Sequence, residues 1–154
     1  RRLGRRGSGD GEFNLPSDAA AGPDGTLWVL DAGNFRVQAF SPEGRLVRAF
    51  GSPGNGIGQL ARPRGLAVDA EGHVYVADAT LANVQVFDAH GALLLALGGR
   101  ALQDAPGRWA LPARVACDES ARIYVVDQYL HKVEVLRKLG DEEGRRWARA
   151  APQG

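Results

Sequence analysis

The sequence predicts an all-β protein made of three four-stranded antiparallel blades, which together form part of a β-propeller. Three observations support this fold class. The segment 63–88 has a counterpart on each side of it, so one unit occurs three times, with steps of 47 and 49 residues. Each unit contains several short stretches with the alternating pattern of a strand. A period in the forties with several short strands per unit is typical of propeller arrays.

Corresponding residues mark the beginning, middle and end of each unit. The units begin at Pro16, Pro63 and Pro112. An aspartate follows fifteen residues later, at Asp31, Asp78 and Asp127. Nine residues further on comes a large apolar residue, at Phe40, Phe87 and Leu136. Because the spacing is the same inside all three units, we expect each unit to form the same supersecondary structure.

The second unit shows the four predicted strands most clearly. They are strand A at residues 65–68, strand B at 73–77, strand C at 83–87 and strand D at 92–97. In strand B, Val74 and Val76 point to one face and Tyr75 to the other, as the two-residue period of a strand requires. Both faces are apolar, which indicates a sheet packed between two neighbouring sheets.

Turns and linkers fall between these strands. The predicted A–B turns of the first two units contain Gly25 and Gly72, which can adopt positive φ, whereas the third unit has Ala121 and a weaker turn. A glycine-rich linker precedes the first and second units. Large apolar residues follow the three linkers and are expected to fill the space between blades: Phe13, Leu60 and Trp109.

We expect one partial propeller domain over residues 1–154. Its blades cover about residues 13–51, 60–98 and 109–151, and residues 1–12 are the end of a preceding outer strand plus a linker. Residues 144–150 match 44–50 after a four-residue insertion and are predicted to form strand D of the third blade. Closed propellers need about four to eight blades. Further blades must therefore come from a second copy, another chain or another part of the same protein.

The composition is that of a soluble globular protein, with 44% hydrophobic and 24% charged residues. No apolar run approaches the ~18 residues of a membrane span, and no signal peptide is evident.

Methionine is absent, so we expect Arg1 not to be the natural start. Arginine far outnumbers lysine, which hints at a bacterial source; the compartment stays open, with the cell envelope or extracytoplasmic space favoured. The single cysteine, Cys117, excludes internal disulfides and is expected to be a small buried hydrophobic residue.

The strings Pro-x-Gly-Leu-Ala-Val-Asp, Gly-x-Val-Tyr-Val-Ala-Asp and Val-Gln-Val-Phe resemble the NHL repeat family, over about residues 3–137. The resemblance implies six-bladed propellers that commonly serve as interaction platforms, some of which bind RNA through a basic face. It also implies kinship with metal-dependent propeller hydrolases and lyases. The Asn-His-Arg triplet that often precedes strand C in the family is not kept whole in any unit.

The repeated aspartates Asp31, Asp78 and Asp127 end strand B in their units. A ring of carboxylates could bind a metal. We favour a structural role, in which each carboxylate accepts hydrogen bonds from turn amides and pairs with the basic residue five positions on, Arg36 or Lys132. The same register in every blade is what a folding role explains.

Other catalytic patterns find little support. There is no Gly-x-Ser-x-Gly motif, and the histidines fall in different parts of the blade. His131, at a B–C turn on the rim, is the best single candidate for a ligand contact, with an exposed turn residue as the alternative. The predicted channel stretches offer Ser17, Asp18, Arg64 and Arg114, which are not a set of metal ligands. No catalytic residue, metal or cofactor is assigned.

Arginines are concentrated in the D–A linkers, whereas the A–B turns on the opposite face are acidic. With the rim histidine, the candidate basic face comprises Arg5, Arg6, Arg62, Arg64, Arg108, Arg114 and His131. Such a face attracts anionic partners and suits carboxylate or phosphate recognition, unless its arginines are simply solvated.

The sequence therefore favours a non-catalytic interaction or assembly module that presents rim loops to a protein partner or to a second copy completing the propeller. An anionic surface is a candidate partner through the arginine-rich face. The alternatives are a fragment of a propeller enzyme and an RNA-binding NHL propeller, although nucleic acid is not favoured because interleaved aromatic residues are missing. No transmembrane segment is predicted.

Overall fold

The structure, a computed structural model, describes residues 2–140, 142, 143 and 146. Within these residues the strands form three antiparallel sheets. The first contains β1 (Pro16–Ala21), β2 (Leu27–Asp31), β3 (Arg36–Phe40) and β4 (Leu46–Phe50). The second contains β5 (Pro63–Val68), β6 (Val74–Asp78), β7 (Asn83–Phe87) and β8 (Leu93–Leu97). The third contains β9 (Pro112–Cys117), β10 (Arg122–Asp127) and β11 (Lys132–Arg137).

Each sheet follows the order of its strands along the chain, so every blade is an antiparallel meander. This confirms the predicted fold class. The predicted strand D of the third blade lies outside the described residues except for Arg146. The backbone of Arg146 is helical, and its guanidinium pairs with Glu142 one turn earlier, a spacing that favours helix. A fourth strand in this blade stays a prediction, as do the domain boundaries.

Strand boundaries differ slightly from those predicted. Strand C of the second blade is as predicted, and β6 and β8 each start one residue later. The inner strand β5 begins at Pro63 rather than at residue 65, because an irregularity between Pro63 and Gly65 lets Pro63 still pair with Asp78. At the start of the chain, residues 2–5 are assigned to no strand. The end of a preceding outer strand at residues 1–12 stays a prediction.

The blades pack face to face through two apolar clusters. Val74 and Val76 of β6 pack with Trp28, Leu30 and Val37 of the first blade. On the other face of the same strand, Tyr75 and Ala77 pack with Val115, Ile123 and Val125 of the third blade. Strand B of the second blade is therefore buried on both faces, as its sequence predicted.

The large residues after the linkers complete these clusters. Leu60 is fully buried between the first and second blades, and Trp109 is fully buried between the second and third. Phe13 is half-buried, and its ring lies 5.7 Å from that of Phe40 on the outer side of the first blade. The first two act as the predicted plugs, and Phe13 covers a blade face with no neighbouring blade among the described residues.

The inner strands β1, β5 and β9 lie side by side and line the position of a propeller channel. Backbones approach closely here, since a Cβ on Gly65 would lie 2.8 Å from the Cα of Arg114. Gly65 is therefore required for the fit between the second and third blades. In the described part of the chain, no helix is both long and apolar enough to span a membrane.

Candidate functional site

The repeated aspartates join the linkers to the B–C turns. Asp78 is fully buried, and its carboxylate accepts backbone N–H bonds from Ala61 (2.8 Å) and Arg62 (3.0 Å) in the linker. It also accepts bonds from Thr80 (3.0 Å) and Leu81 (2.9 Å) in the turn after β6. Four backbone donors thus converge on one carboxylate.

Asp127 repeats this arrangement in the third blade. Its carboxylate accepts N–H bonds from the linker and from the turn after β10, given by Ala110 (2.7 Å), Leu111 (3.1 Å), Tyr129 (2.9 Å) and Leu130 (2.9 Å). Burial acts to raise the pKa of Asp127, but the backbone hydrogen bonds outweigh burial and hold this pKa below its usual range. The ionised form of this carboxylate is thus favoured by the amides of both the linker and the turn.

Asp31 makes its contacts mainly with side chains. It accepts a bond from the backbone N–H of Asn14 (2.7 Å) and from the side chains of Asn34 (2.8 Å), Arg36 (2.9 Å) and Gln38 (3.2 Å). The predicted pair with Arg36 is present. These contacts support the structural role that we predict for the three aspartates.

The prediction that Asp127 forms an ion pair with Lys132 was wrong. Lys132 pairs with Asp104 (2.7 Å) and Glu134 (3.2 Å) instead. The reason is a substitution within the repeat, because Glu134 occupies the position of Gln38 and Gln85 and places a carboxylate next to the ammonium group.

That position also holds a set of contacts that the sequence analysis missed. Gln85 is buried, accepts a bond from the N–H of Gly58 (3.0 Å) and donates one to the carbonyl of Gln59 (2.7 Å). Glu134 accepts bonds from the N–H of Gly107 (2.6 Å) and the indole of Trp109 (2.7 Å). Each residue clamps the preceding linker onto its blade. The available signal was a polar residue at the same position of strand C in all three units, between two apolar residues.

Three arginines of the predicted basic face lie together. Arg62, Arg64 and Arg114 line a cleft of ≈ 540 Å³, with Ser17 and Gln128, at the rim of the inner strands. We call this the arginine cleft. Its wall also includes Phe35 and the small residues Ala61, Pro63 and Ala113.

The remaining members of that face are elsewhere. Arg5 and Arg6 line a separate hollow beside Phe13 and Leu15, and Arg5 pairs with Glu12 at 2.8 Å. Arg108 and His131 are exposed and line neither hollow. His131 has a left-handed backbone, with φ of 51°, as in a tight turn. The seven residues therefore do not form one site.

The arginine cleft contains more positive than negative charge. Arg114 pairs with Asp18 at 2.7 Å, and Asp18 also accepts the N–H of Leu66 at 3.0 Å. Among the described residues, no carboxylate lies within ion-pair distance of the guanidinium groups of Arg62 and Arg64. Within the described part of the chain, Arg62 and Arg64 thus have no carboxylate that compensates their charge.

The opposite end of the inner strands is acidic. Asp69, Asp118 and Glu119 line a hollow there together with Cys117. Burial acts to raise the pKa of Asp69, but bonds from His73 and from the Tyr75 hydroxyl (2.9 Å) lower it overall. The inner surface therefore runs from a cationic rim to an anionic rim.

Cys117 lies at the acidic end and is half-buried, not fully buried as expected, because it ends the inner strand β9 at the wall of the hollow. Burial and the nearby carboxylate of Asp69 raise the pKa of its thiol to about 12. A thiol in this setting is a poor nucleophile at neutral pH.

The described residues contain no group of three His, Cys, Asp or Glu side chains placed to hold a metal ion. What the arrangement can do chemically is bind anions at the arginine cleft and bind apolar surface at the third blade. On that blade Tyr124 and Val126 are half-buried, and Val133 and Val135 are 58% and 53% exposed. We call these four residues the open face.

Comparison with known proteins supports the repeat assignment. A family model described as NHL repeat matches residues 13–40 and 60–87. Teneurin-3 of Mus musculus is 45% identical over 40 residues, which are 26% of this chain and 2% of Teneurin-3.

Two solved structures show the same fold. Hydrazine synthase from Kuenenia stuttgartiensis superposes with a TM-score of 0.61 at 16% identity, covering 79% of this chain and 32% of that one. A gluconolactonase from Xanthomonas campestris superposes with a TM-score of 0.53 at 26% identity, covering 75% of this chain and 36% of that one. The chain spans about a third of the length of these two proteins.

Proposed function

This chain is an NHL-repeat protein with propeller blades, and we propose that it is a non-catalytic interaction or assembly module. Its open face packs against a further blade-type sheet, supplied by a protein partner or by a second copy. Its arginine-rich rim draws in an anionic partner surface. Rigid sheets that carry variable loops suit such a role.

The observation that carries this proposal is a difference between equivalent positions in two blades. Tyr75, Ala77, Val84 and Val86 of the second blade are all less than 5% exposed, since the third blade covers them. The open face has Tyr124, Val126, Val133 and Val135 at those positions. The residue types are alike, and only the covering sheet differs.

An apolar patch of this kind marks an interaction surface. Full burial of an exposed valine side chain stabilises by about 1.5–3 kcal/mol. Val133 and Val135 are about half exposed, so covering the open face gains part of this amount at each residue. The internal contacts between blades indicate the form of the occupant, which is a sheet preceded by a linker that inserts one large apolar residue, as Leu60 and Trp109 do.

The outer side of the first blade is covered more completely than the open face of the third blade. Phe40 and Val29 on its outer side are buried, and Leu27 is 37% exposed. Phe13 packs on this side, and the backbone N–H of Gly11 donates to Gln38 at 3.0 Å. The linker that precedes the first blade thus covers most of this side, whereas the open face has no such cover among the described residues.

Association through the open face can be tested with the double variant V133K/V135K. The molar mass of the purified chain, measured by light scattering from low to high micromolar concentration, should rise for the wild type through self-association and stay that of a monomer for the variant. The matched control is Val47→Lys, at a residue 55% exposed on the outer strand β4. It should associate like the wild type.

If the wild type remains monomeric under all conditions, a second copy is excluded as the partner, and a different protein must supply the covering sheet. If V133K/V135K associates as strongly as the wild type, the open face is not the assembly surface.

The specific observation in favour of an enzyme is the 26% identity to the gluconolactonase over 75% of this chain. Two measurements test this alternative. The first is the rate of acid release from gluconolactone, compared with the uncatalysed rate, and the second is elemental analysis for one stoichiometric divalent ion. If the chain both hydrolyses gluconolactone and contains one divalent ion, an enzymatic function would replace the interaction proposal.

A further inference from the structure

We propose that the arginine cleft binds a small multivalent oxyanion, with a phosphate-bearing molecule as the ligand class. The inference deepens the proposed use of the arginine-rich rim and rests on it, but it does not depend on the open face.

The cleft brings together groups from all three blades. Arg62 precedes β5, Arg64 lies within β5, and Arg114 lies on β9. Ser17 of β1 and Gln128 after β10 add neutral hydrogen-bond donors. A guanidinium presents several N–H groups in a planar fork, which matches the oxygens of phosphate or carboxylate.

Charge favours an anionic occupant. Three arginines line the cleft, and the carboxylate of Asp18 already contacts Arg114 and the N–H of Leu66. A ligand with two or more negative charges therefore compensates the excess that Arg62 and Arg64 leave. A cleft partly walled by small apolar residues strengthens these interactions relative to open water.

The backbone that carries these arginines is held in place. The N–H of Arg62 donates to both oxygens of Asp78, at 3.1 and 3.0 Å. The guanidinium of Arg114 is positioned by Asp18. The ligand thus meets a partly preorganised site, which reduces the entropy lost on binding.

Size favours a small molecule over a nucleic-acid strand. The cleft of ≈ 540 Å³ has the volume of an ordinary small-ligand site. Strand-binding proteins use a series of aromatic side chains on which successive bases stack, whereas Phe35 is the single aromatic among the residues lining the cleft.

The test is calorimetric titration of the chain with pyrophosphate. The wild type should bind, and the double variant R62Q/R64Q should bind at least about tenfold more weakly, since the charge-assisted hydrogen bonds from two guanidinium groups to the anion are lost. The control is Arg45→Gln, which removes one positive charge from an exposed residue of the opposite rim and should leave binding unchanged. Citrate and a single-stranded oligonucleotide are titrated in parallel.

Absence of pyrophosphate binding by the wild type, or equal affinity of R62Q/R64Q and wild type, would overturn the proposal. Tighter binding of citrate would overturn the phosphate class, and tighter binding of the oligonucleotide would overturn the small-molecule assignment. The V133K/V135K variant should keep pyrophosphate binding. A wild type that binds pyrophosphate but shows no association would retain the cleft and exclude self-association through the open face.

Discussion

The carboxylate of Asp18 and the guanidinium of Arg114 form an ion pair of 2.7 Å that joins the first blade to the third. The two residues occupy the same position in the repeat, opposite Leu30 and Val126 of strand B in their blades. In the second blade this position is Gly65, which pairs with Ala77. The absence of a side chain at Gly65 leaves the space between the two charges free, and Asp18 also binds the N–H of Leu66. One carboxylate thus contacts three blades.

Substitution of Gly65 by alanine should destabilise the chain. The added Cβ would lie 2.8 Å from the Cα of Arg114, where backbone must shift. We expect a loss of roughly 1–3 kcal/mol in the free energy of unfolding, as for other overpacked sites, measured by urea denaturation. Gly140→Ala is the control, since a Cβ there meets nothing within 4 Å. Equal stability of the two variants would show that the blades do not approach so closely.

Replacement of Asp78 by alanine should destabilise by roughly 1–3 kcal/mol, because the carboxylate that satisfies four backbone N–H groups is lost. Thermal and urea unfolding measure the loss, and the exposed Asp10 provides the control as Asp10→Ala. Stability equal to that of the wild type would contradict a structural role for this aspartate.

Stability should fall in acid partly through Asp127. The pKa of Asp127 in the folded chain lies below the ordinary value. As the pH falls, the carboxylate of the unfolded chain is therefore protonated before that of the folded chain. The stabilisation is complete above about pH 4 and is lost as the pH falls through the folded pKa. The urea midpoint measured from neutral to acid pH should decline more steeply for the wild type than for Asp127→Asn. Parallel curves would mean that Asp127 does not contribute.

Substitution of Ala121 by glycine should stabilise the protein. Ala121 has φ of 59° in the third A–B turn, where the other two turns have Gly25 and Gly72 with φ of 81° and 84°. Relief of this strain should add about 0.5–1 kcal/mol, measured as a rise in the urea midpoint. The reciprocal variant Gly72→Ala should lose stability. A decrease on Ala121→Gly would indicate that the turn is not strained.

The thiol of Cys117 should react slowly with alkylating agents. Its pKa is raised to about 12 by burial and by the nearby carboxylate of Asp69, so almost no thiolate exists at pH 8. The rate of iodoacetamide labelling by the native chain should be far below that of the chain unfolded in urea at the same pH. Similar rates would contradict a half-buried thiol with a raised pKa.

The repeat spacing and the alternation of strand B were sufficient to predict the blades, because each depends on residues close together along the chain. The buried residues Leu60 and Trp109 were predicted in the same way, from their place after a linker. The clamping role of Gln85 and Glu134 was missed, since their partners lie 25–27 residues away. The wrong partner for Lys132 has the same origin, because Asp104 lies in a linker 28 residues away.

The sequence by itself determined the unit, its strands and the two-sided apolar character of the sheets, since these follow from local spacing and side-chain polarity. Only the tertiary structure decided which arginines meet. Arg62 and Arg114 are 52 positions apart in the chain and come together because inner strands of successive blades lie side by side, whereas Arg5 and Arg6 end in a different hollow. Stacking of the blades also decided which apolar face is covered and which stays open, because burial depends on the neighbouring sheet and not on the residues of the face itself.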